Sequence, residues 1–236
     1  MSTEFRVMTS GAFTAAHRRL LPVIERLTGL DVLTVTTSIG TGDASIPNRL
    51  KRGEVADLVI CDDGVFQGFI AEGLVRARGH AVIARSTIGF AVRAGAPKPD
   101  ISTPAALRET LLNASSIGYS ASVSGRYLTT QVYQRLGIHE QVMPKSRFVG
   151  SGQRVGSLIA SGEVEVGFQQ VSELMPIEGI AHITPLPDEL QLESLYSAGI
   201  GTSALHPEVA ARVVQFLSSV EAAPEIRATG LQPLVA

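Results

Sequence analysis

Four times in this chain an apolar, strand-like run ends in small polar residues and passes straight into a helix-like run. The junctions are Thr9-Ser10-Gly11, Thr37-Ser38-Ile39-Gly40-Thr41-Gly42, Ser120-Ala121-Ser122-Val123-Ser124-Gly125 and Gly150-Ser151-Gly152. Strand–helix alternation of this kind implies an α/β fold whose mainly parallel sheet is covered by helices on both faces. The junctions then fall at the carboxyl ends of the strands, the edge where open α/β sheets bind ligands. Each presents unpaired backbone N–H groups and the positive end of a helix dipole, which together hold an anion with few charged side chains. Ser, Thr and Gly also favour helix caps and turns for purely structural reasons. One such cluster therefore carries little, but four after strands point to a shared anion site.

The expected elements follow the hydrophobic periodicity. Residues 5–8 form a strand leading into a helix with Phe13, Ala16, Leu20, Ile24 and Leu27 on one face, ended by Gly29 and kinked at Pro22. A strand over 32–35, a short helix capped by Ser45, and a fully buried strand over 57–61 come next. Then follow a strand over 87–92, a helix over 105–112, a strand over 117–119 and a helix over 124–136 closed by Gly137. Residues 148–149, a helix over 155–160, strands over 164–168 and 196–200, and a helix over 207–217 complete the alternation. No linker interrupts it. Two lobes are still expected if the chain crosses between them twice, near 84–86 and 192–197. Lobe one is then 1–84 with 197–236, lobe two is 85–196, and the ligand cleft lies between them.

Composition removes several function classes. A net charge of −2, with acidic and basic residues mixed along the chain, leaves no basic stripe for nucleic acid. The chain has no Trp and only 5% aromatic residues, so it lacks a platform for stacking sugars or bases. Cys61 lies inside the apolar run 57–61 and reads as a small buried hydrophobe rather than a nucleophile. No stretch approaches the roughly 18 apolar residues of a membrane span, so no membrane insertion is expected. The N-terminus enters the first strand without a basic or long apolar leader, which predicts a cytoplasmic protein, or a periplasmic one if a leader has been removed.

Catalytic signatures are incomplete. Gly150-x-Gly152 has Val155 where a dinucleotide fingerprint needs its third glycine, and Gly118-Tyr119-Ser120-Ala121-Ser122 lacks the last glycine of a nucleophile elbow. His17 reads as a polar-face residue of the first helix, and no pair among the five histidines has metal-ligand spacing, so neither metal nor cofactor is expected. Arg126 and Arg154 each closely follow a small-residue loop. Either one forks onto a carboxylate or is a solvated helix residue. Gln169, after a buried strand, either supplies an amide to the ligand or is structural.

With these loops in view, the chain resembles the molybdate-binding-protein-like family of type II periplasmic binding proteins over nearly its whole length. The resemblance rests on Ser10-Gly11 and the helix ending Leu21-Pro22-Val23-Ile24-Glu25-Arg26-Leu27-Thr28-Gly29. It continues in Ser38, in Gly53-Glu54-Val55-Ala56-Asp57-Leu58-Val59-Ile60, and in the Ser/Gly loop before Ser124. It implies a two-lobed, hinge-bending fold holding a small anion, an oxyanion or a polycarboxylate. Ser10 and Ser38 then look like lobe-one ligand hydroxyls, beside Gly11, Gly40 and Thr41. Ser122 or Ser124, with Gly125, Val155 and Gln169, fall on the matching lobe-two loops. Residues 93–102, Ile117-Gly118-Tyr119-Ser120 and Gly167-Phe168-Gln169-Gln170 are more similar to a branch that includes aconitate isomerase. That branch implies a cofactor-free 1,3-proton shift in an unsaturated di- or tricarboxylate. The alternative is a solute-binding protein for molybdate or another anion, with a transporter as partner. A proton shift needs a group that takes and returns the proton. Asp43, Tyr119 and Glu173 lie in or near the loops and are the candidates, although a positive site would lower a carboxylate's pKa and weaken it as a base.

Overall fold

The computed structural model describes residues 3–40, 42–150 and 153–235. In chain order the elements begin β1 (Glu4–Thr9), α1 (Gly11–Thr28), β2 (Asp31–Thr36), α2 (Ile46–Lys51), β3 (Leu58–Asp62), α3 (Asp63–Ala71) and β4 (Ala81–Arg93). They continue α4 (Pro104–Asn113), β5 (Ile117–Ser120), α5 (Val123–Tyr127), α6 (Tyr133–Arg135), α7 (His139–Val142), β6 (Ser146–Val149), α8 (Val155–Ser161), β7 (Val166–Gln170), α9 (Val171–Leu174) and β8 (Ile180–Pro185). The chain ends with β9 (Glu193–Ile200), α10 (Pro207–Leu217), α11 (Ala223–Arg227) and β10 (Gln232–Pro233). It divides into two compact units, Met1–Ser86 with Ser194–Ala236, and Thr87–Glu193.

In the first unit β2, β1 and β3 are parallel neighbours, and β9 returns antiparallel beside β3. The two-residue period of a strand sorts side chains to opposite faces. Phe5, Val7, Leu58 and Ile60 join the core beneath α1, α10 and α11, while Met8, Val59 and Cys61 join a second core with Ile46, Leu50, Phe66 and Phe69 of α2 and α3. Cys61 is thus a packing residue, and burial, with Asp62 and Asp63 beside it, pushes its thiol well up, away from the reactive thiolate. The central strand β3 is buried on both sides. Asp57 ties its base together: the buried carboxylate accepts from the backbone N–H groups of Arg6 (2.8 Å), Leu205 (2.8 Å) and His206 (2.7 Å), joining β1 to the start of α10.

The second unit repeats the plan. β6, β5 and β7 are parallel, and β4 lies antiparallel between β7 and β8. Phe90, Val92, Ile117, Val166 and Phe168 pack under α4 and the helical stretch from Leu128 to Leu136; Ala91 and Val149 pack with Val155, Leu158, Ile159 and Leu174 of α8 and α9. The expected helix over 124–136 is present, but a single wide turn at Leu128–Val132 separates α5 from α6.

Gly29 ends α1 as expected, in the left-handed conformation (φ 66°) with its N–H on the Glu25 carbonyl at 2.8 Å. His17 corrects the reading of the first helix. It lies on the buried face, 1% exposed, with Nε2 2.8 Å from the Thr34 hydroxyl of β2. The helix covers the end of the sheet more widely than the apolar spacing alone suggests, and an uncharged imidazole fits there as a packing group. Burial, with Arg18 adding repulsion, lowers its pKa to about 4.

That shift sets a pH dependence. Between about pH 6.5 and 4 the unfolded chain binds a proton that folded His17 refuses, so stability is full above 6.5 and is lost as the pH falls through the folded value. The acid-side loss from this one group is of the order of 3 kcal/mol. Urea unfolding of wild type and His17→Gln from pH 7 to 4 is expected to show a shallower decline in the variant.

Candidate anion site

At the carboxyl edge of the first unit, Ser10 donates its backbone N–H to Ile60 of β3 (2.9 Å), and Thr37 donates to Thr9 (3.1 Å). These bonds hold the ends of β1, β2 and β3 level, and Ser38 is the next residue along. Its carbonyl accepts from Ile46 at 2.9 Å, which brings the start of α2 and Ser45 to the same edge. Gly40 lies close by, since a Cβ there would sit 3.7 Å from the Ser38 hydroxyl. Gly11 opens α1. Thr41 lies outside the described residues.

The serines at this edge occupy helix N-cap positions without capping. Ser10 and Ser45 make no side-chain cap bond, and both hydroxyls are buried with no partner. In the same molecule Thr103 and Asp62 do cap, accepting from Ala106 at 3.1 Å and Val65 at 3.4 Å. A buried hydroxyl left unpaired costs roughly 1–3 kcal/mol.

In the second unit three neighbouring parallel strands bring their following loops together. After β5, a relay runs from the Ser120 hydroxyl to Ser122 (2.7 Å) and on to Ser124 (2.8 Å), which is fully buried. Gly125 is required here, because any Cβ would collide with the Ser120 carbonyl oxygen. After β6 comes Val155, packed so tightly that a Cβ on Gly118 or Gly167 would lie 3.0 or 2.5 Å from its methyl group. This seats the start of α8 directly on the sheet. Ser151 and Gly152 lie outside the described residues. At the end of β7, Gln169 is buried with its Oε1 unpartnered, and Ser172 of α9 has a buried, unpartnered hydroxyl.

Glu173 sits at the third position of α9. The Gln169 side-chain amide and the Gln170 backbone N–H donate to its carboxylate, and Arg154 acts on it electrostatically. All three favour the ionised form. Burial outweighs them and pushes its pKa up to about 7.

Tyr119 is half-buried at the end of β5, edge-on to Phe148 with ring centroids 5.7 Å apart. Asp43 is exposed on the loop before α2, its carbonyl accepting from Arg52 at 2.9 Å. Arg126 is exposed on α5, whereas Arg154 is half-buried beside Glu173. Sequence reasoning left Ser45 as an ordinary cap and passed over Ser172, because a serine at a helix start reads the same whether or not its hydroxyl caps. Among the described residues no group of His, Cys, Asp and Glu is arranged to hold a metal, and no helix is long and apolar enough to cross a membrane.

Two mixed sheets flanked by helices, with hydroxyl-lined loops at their carboxyl edges, define the type II periplasmic-binding-protein fold. The chain matches the bacterial extracellular solute-binding protein family over residues 5–232 and belongs to that family. It is 37% identical over 235 residues to an aconitate isomerase from Pseudomonas sp., covering 99% of this chain and 89% of that protein. Among solved structures it is similar to the Azotobacter vinelandii periplasmic molybdate-binding protein, with TM-score 0.76, 16% identity, and 96% and 98% of the two chains covered. The sulfate-binding protein SubI of Mycobacterium tuberculosis H37Rv gives TM-score 0.72 at 16% identity, with 98% of this chain and 86% of that one covered. A periplasmic binding protein of Agrobacterium, AgtB, in complex with agropinic acid, gives 0.70 at 15%, with 97% and 83% covered. At these identities the structures establish the fold, and the resemblance read from the sequence is borne out.

Replacing Gly125 by Ala is expected to cost roughly 2 kcal/mol or more through the clash with Ser120, measured as a lower urea midpoint.

Proposed function

We propose that the protein is a cofactor-free isomerase of an unsaturated tricarboxylate, moving a double bond by a 1,3-proton shift. The observation that carries this reading is the 37% identity to an aconitate isomerase along 99% of the chain. The site's chemistry supports it. Removing an allylic proton from a substrate with a conjugated carboxylate spreads negative charge onto that carboxylate. Hydroxyl and backbone N–H donors held in place before the reaction stabilise such charge without reorganising. The unpartnered hydroxyls of Ser10 and Ser45, and the relay of Ser120, Ser122 and Ser124, are donors of that kind. A net 1,3-shift returns the proton it removes and changes no oxidation state, so the reaction balances without a redox partner.

A second reading, a binding protein for a carboxylate or oxyanion, is favoured by the family match and by the molybdate- and sulfate-binding relatives of the fold. One experiment separates the two. Incubated with cis- or trans-aconitate in D2O and followed by proton NMR, the isomerase interconverts the two and exchanges the allylic protons for deuterium. A binding protein leaves both spectra unchanged, while molybdate, tungstate or citrate raises its melting temperature.

A further inference from the structure

The proton shift proposed above needs one group that can both take and return a proton. We propose that Glu173 is that group, a catalytic base held at the carboxyl edge of β7 by the Gln169 side-chain amide and the Gln170 backbone N–H. The inference rests on the isomerase reading and on three observations from the second unit alone.

The first is placement. The β5–β7 register, Ile117 beside Val166 and Gly118 beside Gly167, carries Ser120 and Gln169 to the same edge. Glu173 follows this edge as the third residue of α9. The exposed Asp43 belongs to the first unit, and Tyr119 stacks on Phe148. The second is orientation. The bond from Gln170 N–H to Glu173 is the return half of a capping box, which fixes the carboxylate relative to the strand end. Gln169 donates its amide N–H to the same carboxylate, while its own Oε1 is buried and makes no bond within the protein.

The third is protonation. A base that must also act as the acid works best with a pKa near the operating pH. Burial holds Glu173 at about 7, against the pull of its three partners. Of the elements packed on α9, neither α8 nor β7 carries a titratable side chain, the sequence of β8 includes His182, and that of β4 includes Arg85 and Arg93. Arg154, at the start of α8, is the charged residue that acts on Glu173 among the described residues.

The step balances as follows. The Glu173 carboxylate takes a proton from the allylic methylene, and that C–H electron pair becomes the new C=C bond. The former double-bond pair shifts onto the far carbon and its carboxylate. Glu173, now the neutral acid, returns the proton to that far carbon. Enzyme and atom count are restored.

The test uses the full chain with trans-aconitate in D2O. Glu173→Gln is expected to lower kcat for deuterium exchange by about 100-fold or more, while trans-aconitate still raises its melting temperature as in wild type. Wild-type kcat is expected to fall tenfold per pH unit below an apparent pKa near 7, and this limb is expected to be absent from the residual activity of the variant. Formate added to Glu173→Ala is expected to restore part of the exchange, a rescue that no structural role provides. Retention of kcat within threefold in Glu173→Gln overturns the inference and leaves the isomerase reading intact. If the variant does not fold, a flat wild-type profile from pH 5.5 to 8.5 overturns it equally. Wild type that neither interconverts nor exchanges aconitate overturns both.

Discussion

A sheet covered on both faces has only its strand ends left to offer a ligand, and that constraint organises this molecule. In the first unit Phe5, Val7, Leu58 and Ile60 are consumed by one core and Met8, Val59 and Cys61 by the other. The inward-facing apolar side chains of β1 and β3 are thus taken up by packing. The strands run parallel, so their carboxyl ends share one edge, and each leads into a helix whose first turn has N–H groups to spare. The second unit reaches the same arrangement with β6, β5 and β7. Chemistry is confined to the loops because packing leaves it nowhere else.

What distinguishes these loops from ordinary helix starts is which donors and acceptors are already used. Thr103 and Asp62 spend their side chains on capping, as their positions favour. Ser10 and Ser45 hold equivalent positions and do not, although they are buried. A buried hydroxyl without a partner in the protein is left for a bound water or a ligand to satisfy. The glycines serve the same end: Gly125 lets the Ser120 carbonyl approach, and Gly118 and Gly167 let Val155 settle against the sheet.

Much of this was legible in the sequence. The helix over 207–217 has the predicted bounds, since Pro207 opens it and the spacing of Val213, Phe216 and Leu217 is unambiguous. The family resemblance was carried by the small residues after the strands together with the end of α1 and the run 53–60 into β3. Other features were hidden for physical reasons. Gly64 and Gly68 weaken the helical signal of α3, which forms because Phe66 and Phe69 are needed to cover the sheet. β4 extends well beyond the predicted 87–92 because its first half pairs with β10, a contact between distant segments that no local pattern announces. His17 has a polar side chain, and a helical wheel cannot show that β2 presents a hydroxyl to it. For Glu173 the sequence offered only a charge beside a strand, while its behaviour depends on how much protein surrounds it.

The choice of neutral donors over cations at these edges has a consequence for the base. A positive charge 4 Å from a carboxylate, at an effective dielectric of about 20, is worth roughly 4 kcal/mol, about three pKa units in the direction of a weaker base. Had the substrate's carboxylates been gripped by several arginines, Glu173 would be driven far below neutrality and could not return a proton to carbon efficiently. Hydroxyls and backbone N–H groups bind a carboxylate through local dipoles whose effect on a neighbouring charge decays faster with distance. In the proposed isomerase a bound polyanion would act on Glu173 mainly through its own negative charge, which would raise the pKa further as the substrate arrives. Anion recognition by serines and helix ends would in this sense be a condition for carboxylate base catalysis, with Arg154 and the bonds from Gln169 and Gln170 a counterweight that burial overcomes.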